Sequence, residues 1–477
     1  MSYTDLNLYI DGEFTKGNSG IGEDVVNPAT DATLAHLPHA KKEEMDRALA
    51  AASVAFKEWR KTPAVERSKI LRKAADLLRE RSDEIAEVLT LEQGKIRAEA
   101  KMEVMACAEV IEWFAEEGRR AYGRIIPARA DGVRQMVIME PVGVVAGFCP
   151  WNFPVMQAVR KIAASLAAGC TIVCKCPEET PGSPIAMVKC FHDAGLPKGC
   201  LNMLYGTPAE LSEYMIPHPT VRKISFTGSV PIGKQLAAMA GQHMKRITME
   251  LGGHSPMMIF DDVDADHVAG LTAALKWRNA GQVCISPTRF FVHDKVYDQF
   301  VSKFTSIASE MKVGDGLDPD SKMGPLANPR RINAMDEFIG DAVDKGAKVT
   351  TGGNRIGNQG NFFEPTVLTD VPENARIMSE EPFGPVAVML RFNDEDEMLE
   401  RANKLPFGLA SYAFTHDATR ATKIADSIEA GMLSINHHGI ALPETPFGGI
   451  KDSGFGHEGG TEGLQAYMQA KMVSHLG

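Results

Sequence analysis

Cys284 ends the stretch Asn279-Ala280-Gly281-Gln282-Val283-Cys284, about one secondary-structure unit downstream of Met249-Glu250-Leu251-Gly252-Gly253. A thiolate adds to an aldehyde carbon to give a tetrahedral adduct. Its oxyanion drives hydride onto a nicotinamide and leaves a thioester. Releasing the acid then takes water and a general base. Cys284 has the type and setting of the nucleophile, and Glu250 those of the base. Asn152, in the turn Pro150-Trp151-Asn152-Phe153-Pro154, offers a side-chain amide to the oxyanion, with the Cys284 backbone N–H as a second donor. Taken alone, a single cysteine is more often a packed core thiol, and an asparagine in such a turn a turn former. The carboxylate and the nucleotide pattern upstream shift the reading toward chemistry.

That nucleotide pattern lacks the GxGxxG fingerprint of a conventional phosphate turn. In its place stands Phe226-Thr227-Gly228-Ser229-Val230-Pro231-Ile232-Gly233, between a predicted strand and a predicted helix. Gly228 permits close approach, and helix-start N–H groups with the Ser229 hydroxyl can bind a pyrophosphate. Lys175 and Glu178 follow a predicted strand at 171–174, where the adenosine ribose would lie. A carboxylate there accepts from the 2′-hydroxyl and repels a 2′-phosphate, so Glu178 favours NAD over NADP.

The elements that must position these groups alternate. Strands are expected to end at 148 and to cover 171–174, 201–204, 221–226 and 247–250, with helices at 155–168, 183–194, 209–215 and 231–240. Such alternation implies a parallel sheet with right-handed crossovers, which binds nucleotides at the carboxyl ends of its strands. The first 125 residues read as mainly helical: Met45, Leu49, Ala52 and Phe56 recur at helical spacing, and 98–122 forms one long helix. A second α/β unit starts after Glu250, with strands near 257–260 and 289–293. The segment 464–475 reads as a terminal strand that pairs with a neighbouring subunit.

At 477 residues, two or three domains are expected. The net charge of -11, with no Lys/Arg-dense stripe, argues against a nucleic-acid partner. No run of about 18 apolar residues suits a membrane span, and no basic-then-apolar leader is visible, so a cytoplasmic protein is expected. Cys149, Cys170, Cys174, Cys176, Cys190 and Cys200 cluster in sequence, but without a CxxC pair and with only His192 among them. No metal site is expected. Cys174 and Cys176 are read as starting toward opposite faces of a strand end, and the group as inert thiols of a reducing compartment.

The motifs together carry a resemblance over nearly the whole chain. With the PWNFP turn at 150–154, Met249 to Gly253, Gly281-Gln282-Val283-Cys284, Glu381 to Pro385 and Pro446 to Gly454, it resembles the NAD(P)-dependent aldehyde dehydrogenase superfamily. The resemblance implies an aldehyde dehydrogenase-like α/β fold of two parallel-sheet domains and a β oligomerisation arm. The dinucleotide domain would take 1–127 and 147–249, the catalytic domain 250–445, and the arm 128–146 and 446–477. It makes Cys284 nucleophile, Glu250 base and Asn152 oxyanion donor, in a homodimer or homotetramer. Lys175, Cys176, Pro177 and Glu178 fall around the adenosine ribose, and Gly228 and Ser229 at the pyrophosphate. Glu381 and Phe383 fall by the nicotinamide ribose, with Trp151 and Leu251 also among the cofactor contacts. Cys176 departs from the family's usual Lys-Pro, and Ser286 stands where some members carry a second cysteine used as a redox switch.

The same resemblance addresses the substrate. Arg160 and Arg278 match arginines that bind the distal carboxylate in members oxidising semialdehydes, and a guanidinium fork suits that partner. Each arginine could instead pair with a neighbouring acid. Gln157 and Ser286 are further candidates to face the ligand, as is Glu117. The stretches Ile111 to Arg120, His243 to Arg246 and Cys284 to Phe290 are similar to bacterial α-ketoglutaric semialdehyde dehydrogenases. The expected substrate is therefore 2-oxoglutarate semialdehyde or succinate semialdehyde. Competing readings are a neutral-aldehyde enzyme, a CoA-acylating relative (against which Glu250 speaks), a cysteine hydrolase pairing Cys284 with His254, and a silent binding protein.

Overall fold

Five parallel strands form the centre of the first sheet. In the computed structural model, which describes residues 3–477, they run in the order Leu201–Leu204, Thr171–Lys175, Val144–Phe148, Val221–Thr227 and Arg246–Glu250. The first three are buried at every position, so they read as continuous apolar runs, as a sheet covered on both faces requires. Their register aligns Phe148 with Lys175 and with Phe226, and Thr227 with Glu250. One sheet edge thus carries the turn after Phe148, the loop after Lys175 and the acid Glu250.

The helix Pro154–Ala168 follows that turn. Proline fits its first position, where the missing N–H costs nothing, and Gly169 ends it in the left-handed region at φ 91°. All its residues but Met156 are buried. Each buried Val, Ile or Leu contributes about 1.5–3 kcal/mol, so packing holds the helix. Arg160 and Lys161 within it must find polar partners.

The second sheet runs Lys348–Thr351, Thr366–Thr369, Val386–Phe392, Pro287–His293, Ser255–Ile259, Ala410–Phe414 and Met432–Ile435, parallel apart from its first strand. A third, antiparallel sheet joins Met468–Leu476 to Val133–Pro141 and Arg124–Ile126. Ile125, Met472 and Leu476 of this sheet are exposed.

Two expectations need correction. The first 125 residues are not only helical: Leu8–Ile10 and Glu13–Thr15 extend the first sheet antiparallel, and Gly22–Val26 pairs with Thr33–Pro38. Leu8, Tyr9 and Ile10 are all buried, so this short strand shows no apolar/polar alternation to read. The last strand begins at Met468, because Gly460–Gln465 is a helical turn entered through the positive-φ pair Gly459 and Gly460. Gly454–Phe455 adds a further antiparallel edge strand to the first sheet beside Glu250.

Candidate active site

The segment before Cys284 is bent by three successive left-handed residues, Asn279 (φ 50°), Ala280 (φ 52°) and Gly281 (φ 71°). Left-handed backbone costs a non-glycine residue about 1–2 kcal/mol, so contacts must hold the first two. Asn279 N–H donates to Glu99 at 2.9 Å, and Asn279 Nδ2 donates to the Asn152 carbonyl at 3.0 Å. Gln282 Nε2 donates to the Asn279 carbonyl, and its Oε1 accepts from Ala327 N–H, each at 3.0 Å. Gly281 admits no side chain, since a Cβ would lie 2.1 Å from the Gly384 carbonyl.

The two glycines after Glu250 serve the same approach of loops. A Cβ on Gly252 would sit 2.2 Å from Glu381 Oε2, and one on Gly253 would sit 2.9 Å from the Cys284 carbonyl. Gly253 N–H donates to Glu381 Oε1 at 3.2 Å. The motif therefore lets the Glu250, Cys284 and Glu381 segments converge.

Asn152 is fixed through its carbonyl, which accepts from Lys95 Nζ at 2.8 Å as well as from Asn279. Its Nδ2 donates to the Gln282 carbonyl at 3.1 Å, and an amide nitrogen carries a second hydrogen. Lys95 is buried, paired with Glu103 at 2.6 Å and 3.8 Å above the Phe153 ring. Glu103 in turn accepts from Val155 and Met156 N–H, capping the helix that starts at Pro154.

Two cavities meet at Cys284. One, of about 380 Å³, is lined by Trp151, Asn152, Gly228, Ser229, Glu250, Leu251, Glu381 and Phe383 as well as the cysteine. The helix Val230–Gln242 opens onto it with no side-chain cap, leaving N–H groups free for an anion. Both Glu250 oxygens are buried and unpartnered. These features fit a dinucleotide laid along the carboxyl ends of the strands. Lys175 and Glu178 form an ion pair just beyond, at 2.5 Å. The other cavity, of about 220 Å³, is lined by Phe153, Met156, Gln157, Arg160, Arg278, Val283, Ile285 and Phe447 with Cys284, and by the acids Glu99 and Glu103, which bond to Asn279 N–H and to Lys95.

The profile of the aldehyde dehydrogenase family matches residues 14–473. The chain belongs to that family. It is 45% identical to the 4-(hydroxymethyl)benzenesulfonate dehydrogenase of Comamonas testosteroni, over 98% of each chain. It is 42% identical to an NADP(+) succinate-semialdehyde dehydrogenase of Escherichia coli, over 99% of each. The solved structure of a succinate-semialdehyde dehydrogenase from Burkholderia pseudomallei superposes with a TM-score of 0.98 at 41% identity, over 100% of both chains.

In this aldehyde dehydrogenase, burial and the charges of Glu381 and Glu250 push the Cys284 thiol up to about 12, against the pull of Arg160 and Arg278. Burial and then Glu458 raise Glu250 well above the carboxylate range, while Lys161 and Arg160 act the other way. Glu381 is raised to about 7 by burial. Arg160 spends donors on two carbonyls, Glu458 at 2.7 Å and Ala441 at 3.5 Å, and lies 4.4 Å over the Phe447 ring. Arg278 lies 5.4 Å over Phe153, with its Nε unpartnered. Among the described residues neither arginine has a carboxylate within 4.0 Å, so the alternative that each pairs with an acid does not hold.

Three expectations fail on position. Glu117 does not line either cavity; at the end of the helix Arg97–Glu117 its carboxylate accepts from Arg120. Ser286 also points away, toward Lys276 Nζ and the Pro287 carbonyl at 3.4 Å each, because the chain turns into the strand Pro287–His293 there. His254 is buried between Thr288 and the Ile377 carbonyl, outside both cavities, which removes the hydrolase pairing.

Sequence reasoning missed the polar framework beneath the site. Lys161 Nζ bonds Glu458 at 2.8 Å and Thr227 at 2.6 Å, and Ser225 also donates to Glu458 at 3.1 Å. Lys276, lowered to about 7 by burial, donates to the Gly384 carbonyl at 3.1 Å. A lysine inside an otherwise apolar helix was the available clue for Lys161, since a buried charge requires a partner.

Proposed function

We propose that this aldehyde dehydrogenase oxidises a short aldehyde with a distal carboxylate, 2-oxoglutarate semialdehyde or succinate semialdehyde, to the dicarboxylic acid, preferring NAD. The observation that carries this reading is the pair Arg160 and Arg278, without acidic partners, on the cavity that ends at Cys284. A guanidinium with free donors, on a cavity whose acids Glu99 and Glu103 are held by other groups, selects an anion. Bound NAD supplies the hydride acceptor. Cys284 gives its proton to water in the cavity as its sulfur bonds to the aldehyde carbon. Asn152 Nδ2 and the Cys284 N–H stabilise the oxyanion. After oxidation to the thioester, Glu250 takes a proton from water, which attacks the acyl carbon and returns the thiol. The charges of Glu458 and Lys161, which bond each other at 2.8 Å, act on Glu250 in opposite directions.

Glu178 supports NAD by occupying the ribose side of the strand end as an acid, although the Escherichia coli relative's name specifies NADP(+). The exposed apolar arm Met468–Leu476 with Val133–Pro141 supports a homodimer or homotetramer, and eight free cysteines suit a reducing cytoplasm. A second reading, a distal sulfonate, draws on the Phe153 and Phe447 walls and on the Comamonas relative.

The test is kcat/KM for succinate semialdehyde, 2-oxoglutarate semialdehyde, a sulfonated benzaldehyde and butanal, in the wild type and in Arg160→Met and Arg278→Met. Losing a charge-assisted hydrogen bond of about 1.5–3 kcal/mol lowers acidic-substrate kcat/KM about 10- to 100-fold. Butanal should change little. Equal losses for butanal would sink the anionic pocket, and a sulfonate outperforming both semialdehydes would favour the second reading.

A further inference from the structure

The cofactor-side strand ends hold a group of side chains that the dehydrogenase reaction does not use. Cys149, Cys174 and Cys176 bring their sulfur atoms within 4.8 Å of one another, all three residues buried. Cys149 Sγ lies 3.5 Å from Cys174 Sγ, which lies 3.7 Å from Cys176 Sγ. The expectation that Cys174 and Cys176 face apart is wrong, because residues two apart on a strand share a face. Pairing of Val144–Phe148 with Thr171–Lys175 then adds Cys149, whose N–H donates to the Lys175 carbonyl at 3.0 Å.

Sulfur atoms bound at about 2.3 Å to one soft metal ion lie about 3.8–4.0 Å apart in tetrahedral or trigonal geometry. The Cys149–Cys174 and Cys174–Cys176 separations need shifts of tenths of an ångström, and the Cys149–Cys176 pair, within 4.8 Å, closes by at most about 1 Å. No fourth His, Cys, Asp or Glu joins the group among the described residues. That disfavours zinc, which takes four ligands in closed sites, and suits a thiophilic ion content with three sulfurs, as Cu(I) is. Binding releases the thiol protons, and three thiolates around a monovalent ion leave two negative charges. One cation is at hand. A Cβ on Gly147 would touch both Cys174 Sγ, at 3.4 Å, and Lys161 Cδ, at 3.6 Å, which places the stem of that lysine against the cluster, its Nζ shared with Glu458 at 2.8 Å. Cys149, 6% exposed, is the least buried of the three and adjoins Pro150 and Trp151 of the cofactor cavity in sequence.

We propose that Cys149, Cys174 and Cys176 form a three-thiolate site for cuprous copper, and that its occupancy weakens NAD binding through the Lys175-Cys176-Pro177-Glu178 loop. The second clause rests on the proposed ribose contacts of that loop; the first does not.

The experiment uses the reduced full-length Cys284→Ser protein, which removes the catalytic thiol as a competing ligand. It is titrated anaerobically with Cu(I) supplied as its acetonitrile complex, following the ultraviolet thiolate-to-copper band and competing with a Cu(I) chelator. One ion per chain is expected. Cys174→Ala, and separately Cys149→Ser, should weaken it by about 100-fold or more, beyond what loss of an outer partner costs. Cys107→Ser, a buried thiol elsewhere, should not. Thermal unfolding checks that each variant folds, and the edge variant Cys149→Ser serves if Cys174→Ala does not. Absence of the band, or affinity in the Cys149 and Cys174 variants equal to that of the Cys284→Ser parent, overturns the site. Copper bound at one equivalent with NAD affinity unchanged, measured by nucleotide fluorescence, overturns the coupling alone.

Discussion

On the cofactor side of Cys284 the cavity carries Glu250 and Glu381, both buried acids whose proton affinity is raised by that burial. On the substrate side it carries Arg160 and Arg278 between Phe153, Met156 and Phe447. The acid side is built by backbone: glycines that admit neighbouring loops, an uncapped helix start and a turn gripped through its carbonyl. The arginine side is built by side chains on a helix and on the turn before the nucleophile. The two sides thus pull the proton affinity of one thiol in opposite directions, Glu381 and Glu250 raising it and Arg160 and Arg278 lowering it. The polarity suits a cationic ring on one side and an anionic substrate on the other. It also suggests why members of one family differ in substrate: side chains on the arginine side can change without disturbing the backbone that holds the chemistry.

The largest effect should come from the residue the two sides share. Cys284→Ala is expected to lower NADH production by about 10⁴-fold or more, on the scale seen when a covalent nucleophile is removed. Ordinary turnover by that variant would remove the nucleophile and with it the contrast between the cavities. A smaller and different loss is expected from Glu250→Gln, on the acid side alone. Steady-state turnover should fall by about 10²- to 10⁴-fold, the range of general-base catalysis, while a burst of about one NADH per site survives in stopped flow. Loss of burst and turnover together would mean that Glu250 acts before the thioester, and an unchanged steady state would mean that it is not the base.

The sequence made the parallel sheet legible because its strands, of four to seven residues and three of them buried throughout, alternate with clear helices. It also singled out Cys284, Glu250, Asn152 and both arginines, which the fold brings to the two cavities. What it hid was relational. Leu8–Ile10 is recognisable only by its pairing with Met203. Glu458 and Lys161 lie far apart in sequence and meet at 2.8 Å. Glu117 and Ser286 sat in suggestive stretches, but side-chain direction, set by a helix end and by entry into a strand, turns them from the cavity. The cysteine trio was misread through one error of strand register, a mistake that period-two reasoning corrects without coordinates.

The smallest effect concerns the far end of the acid side, where Glu178 pairs with Lys175. If Glu178 accepts from a ribose 2′-hydroxyl, Glu178→Ser removes an acceptor for NAD and a like charge against a 2′-phosphate. The ratio of kcat/KM for NAD to that for NADP should then fall about tenfold or more, chiefly through KM and with the same aldehyde. Lys175 stays in place and gains a phosphate partner, so NADP should improve in absolute terms as well as relative ones. A fall in both cofactors by the same factor would mean that Glu178 only holds the loop. Because the site lies beyond the cavity that reaches Cys284, the preference for carboxylate-bearing aldehydes should not move. A change in that preference would show that the two sides of the thiol are not independent.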